Sequence, residues 1–517
     1  MSLGFANMLK SPLKILPHRI FSSVGIAILT SSLVTFCLEN NIARSQTTGY
    51  CQQTKDAIAQ KENSRQMALK GDGEAQNKYK TLLLKHGDAL KICRNQTWPQ
   101  NQAIWLRLYP CDANPGVLDK VLDDIVNRGY NQVYIEVFYD SQVLLPVTDN
   151  PTPWVSVLRN TKQEKVDLLA QAIQKGRERG LKVYAWLFTL NFGYAYAQRS
   201  DRQNVLARNA QGQSSLDAIT DTELDIKGGG SQSDKAFIDP YHPQARQDYL
   251  LLVNAILQRK PDGVLFDYVR YPRMVGPASV VSKVQDLWIY AEAAQQTLYQ
   301  RAINNKGLEL IKRFTSKGYI TVDDITSVDK LYPKESEPLW QGRNPSLTAS
   351  LVPAAQRQHQ LQVELWQLSV AHAMQGVVDF VTMAVQPVQR QGIAAGTVFF
   401  PNGNQPIRQG FDSRLQPWDR FPNTIEWHPM VYGVCGNTNT KCILEELQRV
   451  INYAPPGTQI IPALAGNWGE AMKNRPSLEM QMEDIRRMAP QIKSISHFAY
   501  SWQEPESDRE RKFCQFR

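Results

Sequence analysis

Eight short β-rich apolar runs, separated by amphipathic segments of helical period, constrain this 517-residue chain more than any other feature. The runs are AIWLRLY (103–109), QVYIEVF (132–138), KVYAWLF (182–188), DGVLFDY (262–268), GTVFFP (396–401), TIEWHPMVY (424–432), TQIIPAL (458–464) and SISHFAY (494–500). Helical segments fall between them, among them 117–128, 164–179, 243–259, 443–453 and 478–488. RGY (128–130) and RGL (179–181) put glycine just past a helix end, the usual C-cap placement. Strands that alternate with helices imply a parallel sheet of βα units, and eight of them match an α/β (β/α)8 TIM barrel.

The rest of the chain is organised around that barrel. Residues 1–45 read as a signal peptide or membrane anchor. Lys10, Lys14 and Arg19 precede the apolar run 20–38, and Ala43 and Ser45 sit at −3 and −1 of a cleavage point before Gln46. The run is long enough for an uncleaved anchor to stay open, whereas Phe36 before Cys37 is too bulky for a lipobox. Either reading predicts export to the periplasm, cell envelope or exterior. Residues 46–99 are polar and helix-favouring and predict a helical hairpin; 100–517 form the barrel, with an insertion at about 274–345 that either covers the mouth or decorates the outside.

Cysteine usage agrees with export. Beyond Cys37 there are Cys51, Cys93, Cys111, Cys435, Cys442 and Cys514, an even number that reads as disulfides in an exported chain. Cys435 and Cys442 flank a short polar loop. Cys51 and Cys93 stand at the outer ends of the expected hairpin, which leaves Cys111 to tie the first strand region to Cys514. No C-x-x-C occurs and the seven histidines lack ligand spacing, so neither a metal nor another cofactor is expected.

The formal charge of +9 carries no Lys/Arg stripe of the kind that binds nucleic acid. It reads as a solvated surface or as attraction to an anionic polymer such as wall glycan. Membrane contact is expected only through the N-terminal segment, and the sequence identifies no protein partner.

Barrel chemistry sits at the C-terminal strand ends. Those ends carry Tyr109, Glu136, Tyr139, Phe188, Asn191, Asp267, Arg270, Tyr271, Asn402, Met430, Tyr432, Asn467, Trp468 and Trp502. Aromatics interleaved with amides and carboxylates suit a sugar cleft, with rings stacking on Trp and Tyr. A phosphate site is not indicated: KGGGS (227–231) lacks the required spacing.

Several stretches resemble a known family. VYIEVFYDSQVLLPVTDNPTPW resembles a segment in which Gln or Glu precedes a loop ending in Pro-Trp, and VYAWLF resembles its third strand. IDPYHPQARQDYLLLVNAILQRKPDGVLFDYVRYP is similar to its most recognisable stretch, and HPMVYG and HFAYSW to its sixth and eighth strands. The family is glycosyl-hydrolase-like family 10, also called family 10 glycosylhydrolase, with similarity to the family 13-like group at the fourth-strand motif. The resemblance spans roughly 101–505 without the insertion and implies a TIM barrel acting on envelope polysaccharide, including peptide-free peptidoglycan strands. A second acid common after the first is here Tyr268, and the strand-two Gln is Glu136. HPMVY also resembles the M-x-Y strand of family 18 chitinases, but Val269 stands where their catalytic Glu falls.

Glycoside hydrolysis ordinarily uses two carboxylates. Asp267 shares a strand face with Leu265 and is the first; the alternative is a buried pair with an arginine such as Arg270. Glu136 is the preferred partner; the alternative is an ion pair with Arg107 from the neighbouring strand. Glu426 and His428 lie deeper and read as structural, Glu504 as a reserve acid, and Trp105 and Trp186 as core. Arg270 and Tyr271 suit a carboxylated or N-acetylated sugar, and Tyr432, Trp468 and Trp502 suit aromatic subsites, with Asn402, Met430 and Asn467 completing the lining. The expectation is a glycoside hydrolase acting on an envelope polysaccharide through Asp267 and Glu136, or else a barrel that binds glycan without cleaving it.

Overall fold

The computed structural model describes residues 50–218, 235–346 and 352–516; the expected N-terminal targeting segment and the KGGGS loop lie outside these. Eight parallel strands form the barrel: β1 (Asn101–Arg107), β2 (Gln132–Tyr139), β3 (Lys182–Phe188), β4 (Gly263–Asp267), β5 (Ala394–Phe399), β6 (Glu426–Pro429), β7 (Ala463–Ala465) and β8 (Ser494–Phe498). Their hydrogen-bonded order is β6-β5-β4-β3-β2-β1-β8-β7. All eight expected strands are present. The sixth and seventh are shorter than expected because prolines interrupt their ladders: Pro429 ends β6, and β7 begins only after Pro462.

The ring closes between β6 and β7 through two isolated parallel bridges, Trp427 with Ile460 and Met430 with Ala463. Three backbone hydrogen bonds make this seam: Trp427 N–H to Gln459 O, Ile461 N–H to Trp427 O and Val431 N–H to Ala463 O. By contrast β2 and β3 pair continuously from Gln132–Lys182 to Glu136–Trp186.

Alternation along the strands stacks the barrel interior in layers. Deepest lie Tyr134, Tyr184 and His428, in ring contact with one another through Tyr134. Gly263 is required there: a Cβ would stand 2.3 Å from the Tyr184 ring. Glu426 accepts from Tyr184 Oη at 3.2 Å and contacts His428 at 3.2 Å, deep in the barrel as the sequence places them. Above them Trp105 and Trp186 meet edge to face at 4.8 Å, and above those the C-terminal ends open into a cleft.

The helical layer contains α3 (Val117–Asn127), α4 (Leu168–Arg177) and α5 (Pro243–Leu257), then α9 (Ala354–Arg390), α10 (Lys441–Tyr453) and α11 (Leu478–Met488). Before the barrel, α1 (Lys55–Leu69) and α2 (Gly73–Gln96) form an antiparallel hairpin that docks through buried polar groups. Arg179 donates to Asp123 at 2.8 Å and to Tyr79 Oη at 2.8 Å, and Tyr79 donates to Asp123 at 2.7 Å. Arg94 from α2 reaches the barrel base, donating to Gly129 O, Pro99 O, Tyr50 O and Gln102 Oε1. Between β4 and β5 the insertion contributes α6 (Glu292–Tyr299), α7 (Asn305–Lys317) and α8 (Val322–Leu331). It leads into α9, which is long and apolar enough to cross a membrane, though 67% of its apolar window is buried inside the protein. The first residues after β4 are stitched to the loop after β5: Tyr271 N–H donates to Arg414 O at 2.9 Å, Met274 N–H to Ser413 Oγ at 3.0 Å, and Val281 pairs with Phe411.

The three expected disulfides form: Cys51–Cys93, Cys111–Cys514 and Cys435–Cys442. Three disulfides belong to a protein of an oxidising compartment. Beside the second, α12 (Pro505–Phe513) brings Arg511 onto Asp112 in a two-pronged pair, at 2.7 and 2.8 Å, and onto Arg107 O at 2.7 Å.

Candidate active site

A cleft of about 540 Å³ lies at the C-terminal end of the barrel. Its floor is Trp105 and Trp186 and its walls include Phe188, Tyr268, Phe400, Tyr432, Phe498 and Trp502, with Glu136, Asp140 and Asp267 as its acids. Trp105 and Trp186, expected as core, are packed in the core and also floor the cleft.

Asp267 ends β4 on the inward parity and is 7% exposed. Trp186 Nε1–H donates to its Oδ2 at 3.1 Å, and the backbone N–H of Tyr268 to its Oδ1 at 2.6 Å. Burial pushes its carboxyl up to about 6; the Tyr268 N–H, Arg270 and the Trp186 indole oppose that rise without cancelling it. No ion pair is made: among the described residues no cation lies within 4 Å of it, so the Asp267–Arg270 salt bridge entertained above is not formed. Tyr268 itself takes a left-handed conformation, φ +53°, an unusual one for an aromatic residue, directly after the acid.

Glu136 lies on β2 with 1% exposure and pairs with Arg107, which donates to its Oε2. Burial raises the Glu136 carboxyl against the pull of that guanidinium, and Asp140 and Asp267 push the same way. Its other oxygen, Oε1, is buried without a hydrogen-bond partner. Arg107, more than a third exposed, lies over the Tyr139 ring at 4.2 Å. The ion pair weighed as the alternative for Glu136 is therefore present, within the cleft.

Asp140 is an acid that sequence reasoning missed. It follows β2 in a two-residue turn to a short antiparallel strand, Tyr139 pairing with Gln142, and both turn residues have positive φ: Asp140 +42° and Ser141 +62°. That is the geometry of a type I′ hairpin turn, which suits Asp or Asn first and Gly second. Serine persists at the second position because its hydroxyl donates to Phe192 O at 2.9 Å and accepts from Tyr196 N–H at 3.0 Å. Asp140 is exposed at the tip, on the cleft wall. The sequence signal was present: a β run followed at once by Asp-Ser.

Of the other expected residues, Arg270, Met430, Tyr432 and Trp502 line the cleft. Tyr432 and Trp502 both contact the Phe498 ring, at 5.9 and 5.6 Å, and Lys473 lies 4.4 Å over Trp502. Burial, then Asp267, holds the Tyr432 hydroxyl well above its ordinary value.

Four expected lining residues are not brought there. Tyr271 turns back from Arg270 into the core, its hydroxyl directed to Ala373 O at 3.3 Å. Trp468 packs on the outer side of β8 against His497, at 5.1 Å, and donates to Tyr130 Oη at 3.0 Å. Asn467 bonds Glu470 in the same loop, and Asn402 bonds Glu446 of α10 behind the wall. Strand parity ends with the strand, so these loop positions follow turn geometry instead. Glu504, the reserve acid, pairs with Arg128 away from the cleft. Glu446, half-buried, is a second acid that the sequence did not flag: desolvation raises it to about 7, opposed by the Gly433 N–H from which it accepts at 3.0 Å. Among the described residues no group of three His, Cys, Asp or Glu side chains is arranged to hold a metal ion.

Comparison with known proteins places this cleft in context. Residues 111–307 match the family described as glycosyl hydrolase-like 10, a segment that includes β2, β3 and β4 with Glu136, Asp140 and Asp267. The PgaB (BpsB) glycoside hydrolase domain of Bordetella bronchiseptica is 14% identical, with a TM-score of 0.43 over 80% of this chain and 98% of that one. A GH18 chitinase from Pseudoalteromonas aurantia is 10% identical, with a TM-score of 0.36 over 80% and 99%. A GH20 exo-β-N-acetylglucosaminidase from Vibrio harveyi is 8% identical, with a TM-score of 0.37 over 80% and 52%. No curated protein matches the sequence.

Proposed function

We propose that this chain, glycosyl-hydrolase-like over residues 111–307, is a glycoside hydrolase that cleaves a cell-envelope polysaccharide, with peptide-free peptidoglycan strands as the leading substrate. The observation that carries the reading is Asp267: a buried carboxyl, with no cation paired to it among the described residues, raised to about 6 at an aromatic cleft. A carboxyl in that range is protonated in part near neutral pH and can give its proton to a glycosidic oxygen. Its two fixed donors, the Trp186 indole and the Tyr268 N–H, stabilise the carboxylate left behind.

Glu136 is the complementary carboxylate. Arg107 opposes the rise that burial imposes on its carboxyl, and Oε1 is buried without a hydrogen-bond partner among the described residues. Asp140, exposed on the same wall, adds negative potential that favours an oxocarbenium-like centre. Tyr432, Phe498 and Trp502 supply apolar faces for pyranose rings. The disulfides suit an envelope or periplasmic location.

The test is incubation of the protein and its Asp267→Asn variant with peptide-free peptidoglycan strands, chitin oligosaccharides and storage glucans, with products read by mass spectrometry. Hydrolysis by the wild type and its loss in the variant are expected. Binding without cleavage across the panel would instead establish a non-catalytic glycan-binding barrel.

A further inference from the structure

Resting on the glycan-cleft reading, we propose that Arg270 is an anion subsite and that the cleft is built for a sugar carrying a carboxylate. Arg270 is 4% exposed yet has no acid partner: among the described residues no carboxylate lies within 4 Å of its guanidinium. Of its five N–H donors one, on Nη1, is used among the described residues, donating to Tyr271 O at 2.9 Å. Among the described residues Nε and Nη2 make no hydrogen bond, and Arg270 lines the cleft.

The surroundings fix the guanidinium rather than neutralise it. It lies 4.6 Å over the Tyr268 ring, 5.6 Å from Phe237 and 5.8 Å from Phe400. The neighbouring Arg414 is matched by Asp412 at 2.7 Å, so it is already neutralised. Its backbone oxygen, accepting from Tyr271, also ties the Arg270 strand end in place.

A desolvated cation without a counter-ion destabilises a fold by several kcal/mol in general, unless a ligand supplies the charge. A planar fork with free donors matches a carboxylate in two-pronged fashion. An N-acetyl oxygen would fill only one donor and leave the charge unmatched. That distinguishes between the two sugar classes left open by the sequence, and Tyr271, buried behind, does not contribute. The carboxylate can belong to a lactyl ether on an amino sugar or to a uronic acid.

Calorimetric titration of the full-length Asp267→Asn protein provides the test, because it reads binding whether or not the wild type cleaves. Four probes are used: peptide-free peptidoglycan oligosaccharides and hyaluronan oligosaccharides, each beside its carboxyl-reduced counterpart. At least one carboxylated probe is expected to bind tenfold or more tightly than its reduced form, and which one does so identifies the source. Adding Arg270→Met should bring that ratio to about one, while Arg270→Lys should retain part of it; a ratio is insensitive to partial loss of folded protein. Equal affinity for both members of both pairs, absence of binding to all four, or a preference that survives Arg270→Met would overturn the proposal. Preference without any hydrolysis by the wild type would uphold the subsite and overturn the enzyme.

Discussion

An ionised Asp267 works against the fold that holds it. Its carboxyl rises from 3.8 to about 6 because burial removes water that two hydrogen-bond donors do not replace. The native state therefore holds this proton more tightly than the unfolded chain. The contribution of this group to stability is most favourable below pH ~4, declines as pH rises towards about 6, and above that is a penalty of roughly 3 kcal/mol. Asp267→Asn should accordingly raise the melting temperature at pH 8 and leave it nearly unchanged at pH 4, as calorimetry at the two values would check. The same substitution should lower hydrolysis about 100-fold or more, and wild-type kcat should fall as pH passes upward through about 6. Glu136 and Asp140 separate by kinetics. Glu136→Gln is expected to cost about 100-fold in kcat and Asp140→Asn less than about 10-fold; the opposite order would transfer the second carboxylate's role to the exposed turn. Asp267 was legible because a lone acid at the end of an apolar strand has a definite parity. Trp186 was not, since parity points it inward but only the strand stagger decides that it floors the cleft. Trp468, Asn467 and Asn402 were misplaced because they lie beyond the strands, where period-2 reasoning has no purchase.

Elements were more legible than side chains. The strand positions follow from β-rich runs bounded by turn residues, and the departures at β6 and β7 trace to Pro429 and Pro462, which cannot donate to a ladder. The 37-residue helix α9 was obscured by the insertion before it, which breaks the strand-to-helix rhythm. Among the elements, the α1–α2 hairpin depends most on one side chain. Arg94 is 1% exposed and serves four acceptors from three neighbouring segments, with no acid among them. Arg94→Met would leave buried carbonyls unsatisfied, at ~1–3 kcal/mol each. A loss of about 3 kcal/mol or more in urea denaturation is expected, with the cleft's ligand affinity unchanged in the folded protein.

At the scale of the whole molecule, the Cys111–Cys514 bridge joins positions 403 residues apart, and the Arg511–Asp112 pair joins positions 399 apart beside it. Closing so long a loop restricts the unfolded chain strongly, near the upper end of the usual ~2–5 kcal/mol. Replacing both cysteines by serine should lower the melting temperature by several degrees, as calorimetry would check. Barrel closure has a different consequence. The ring is continuous through seven junctions, but the eighth, between β6 and β7, rests on three backbone hydrogen bonds. Local opening begins where the fewest bonds must break together. In deuterated solvent the amides of Trp427, Val431 and Ile461 should therefore exchange well before those of β2 and β3, as mass spectrometry of peptic fragments would show. Met430 and Tyr432 stand on one bank of that line, and Phe498, on β8, lies beyond the other. Opening along that line would loosen one wall of the cleft while the β2–β3 side stays paired.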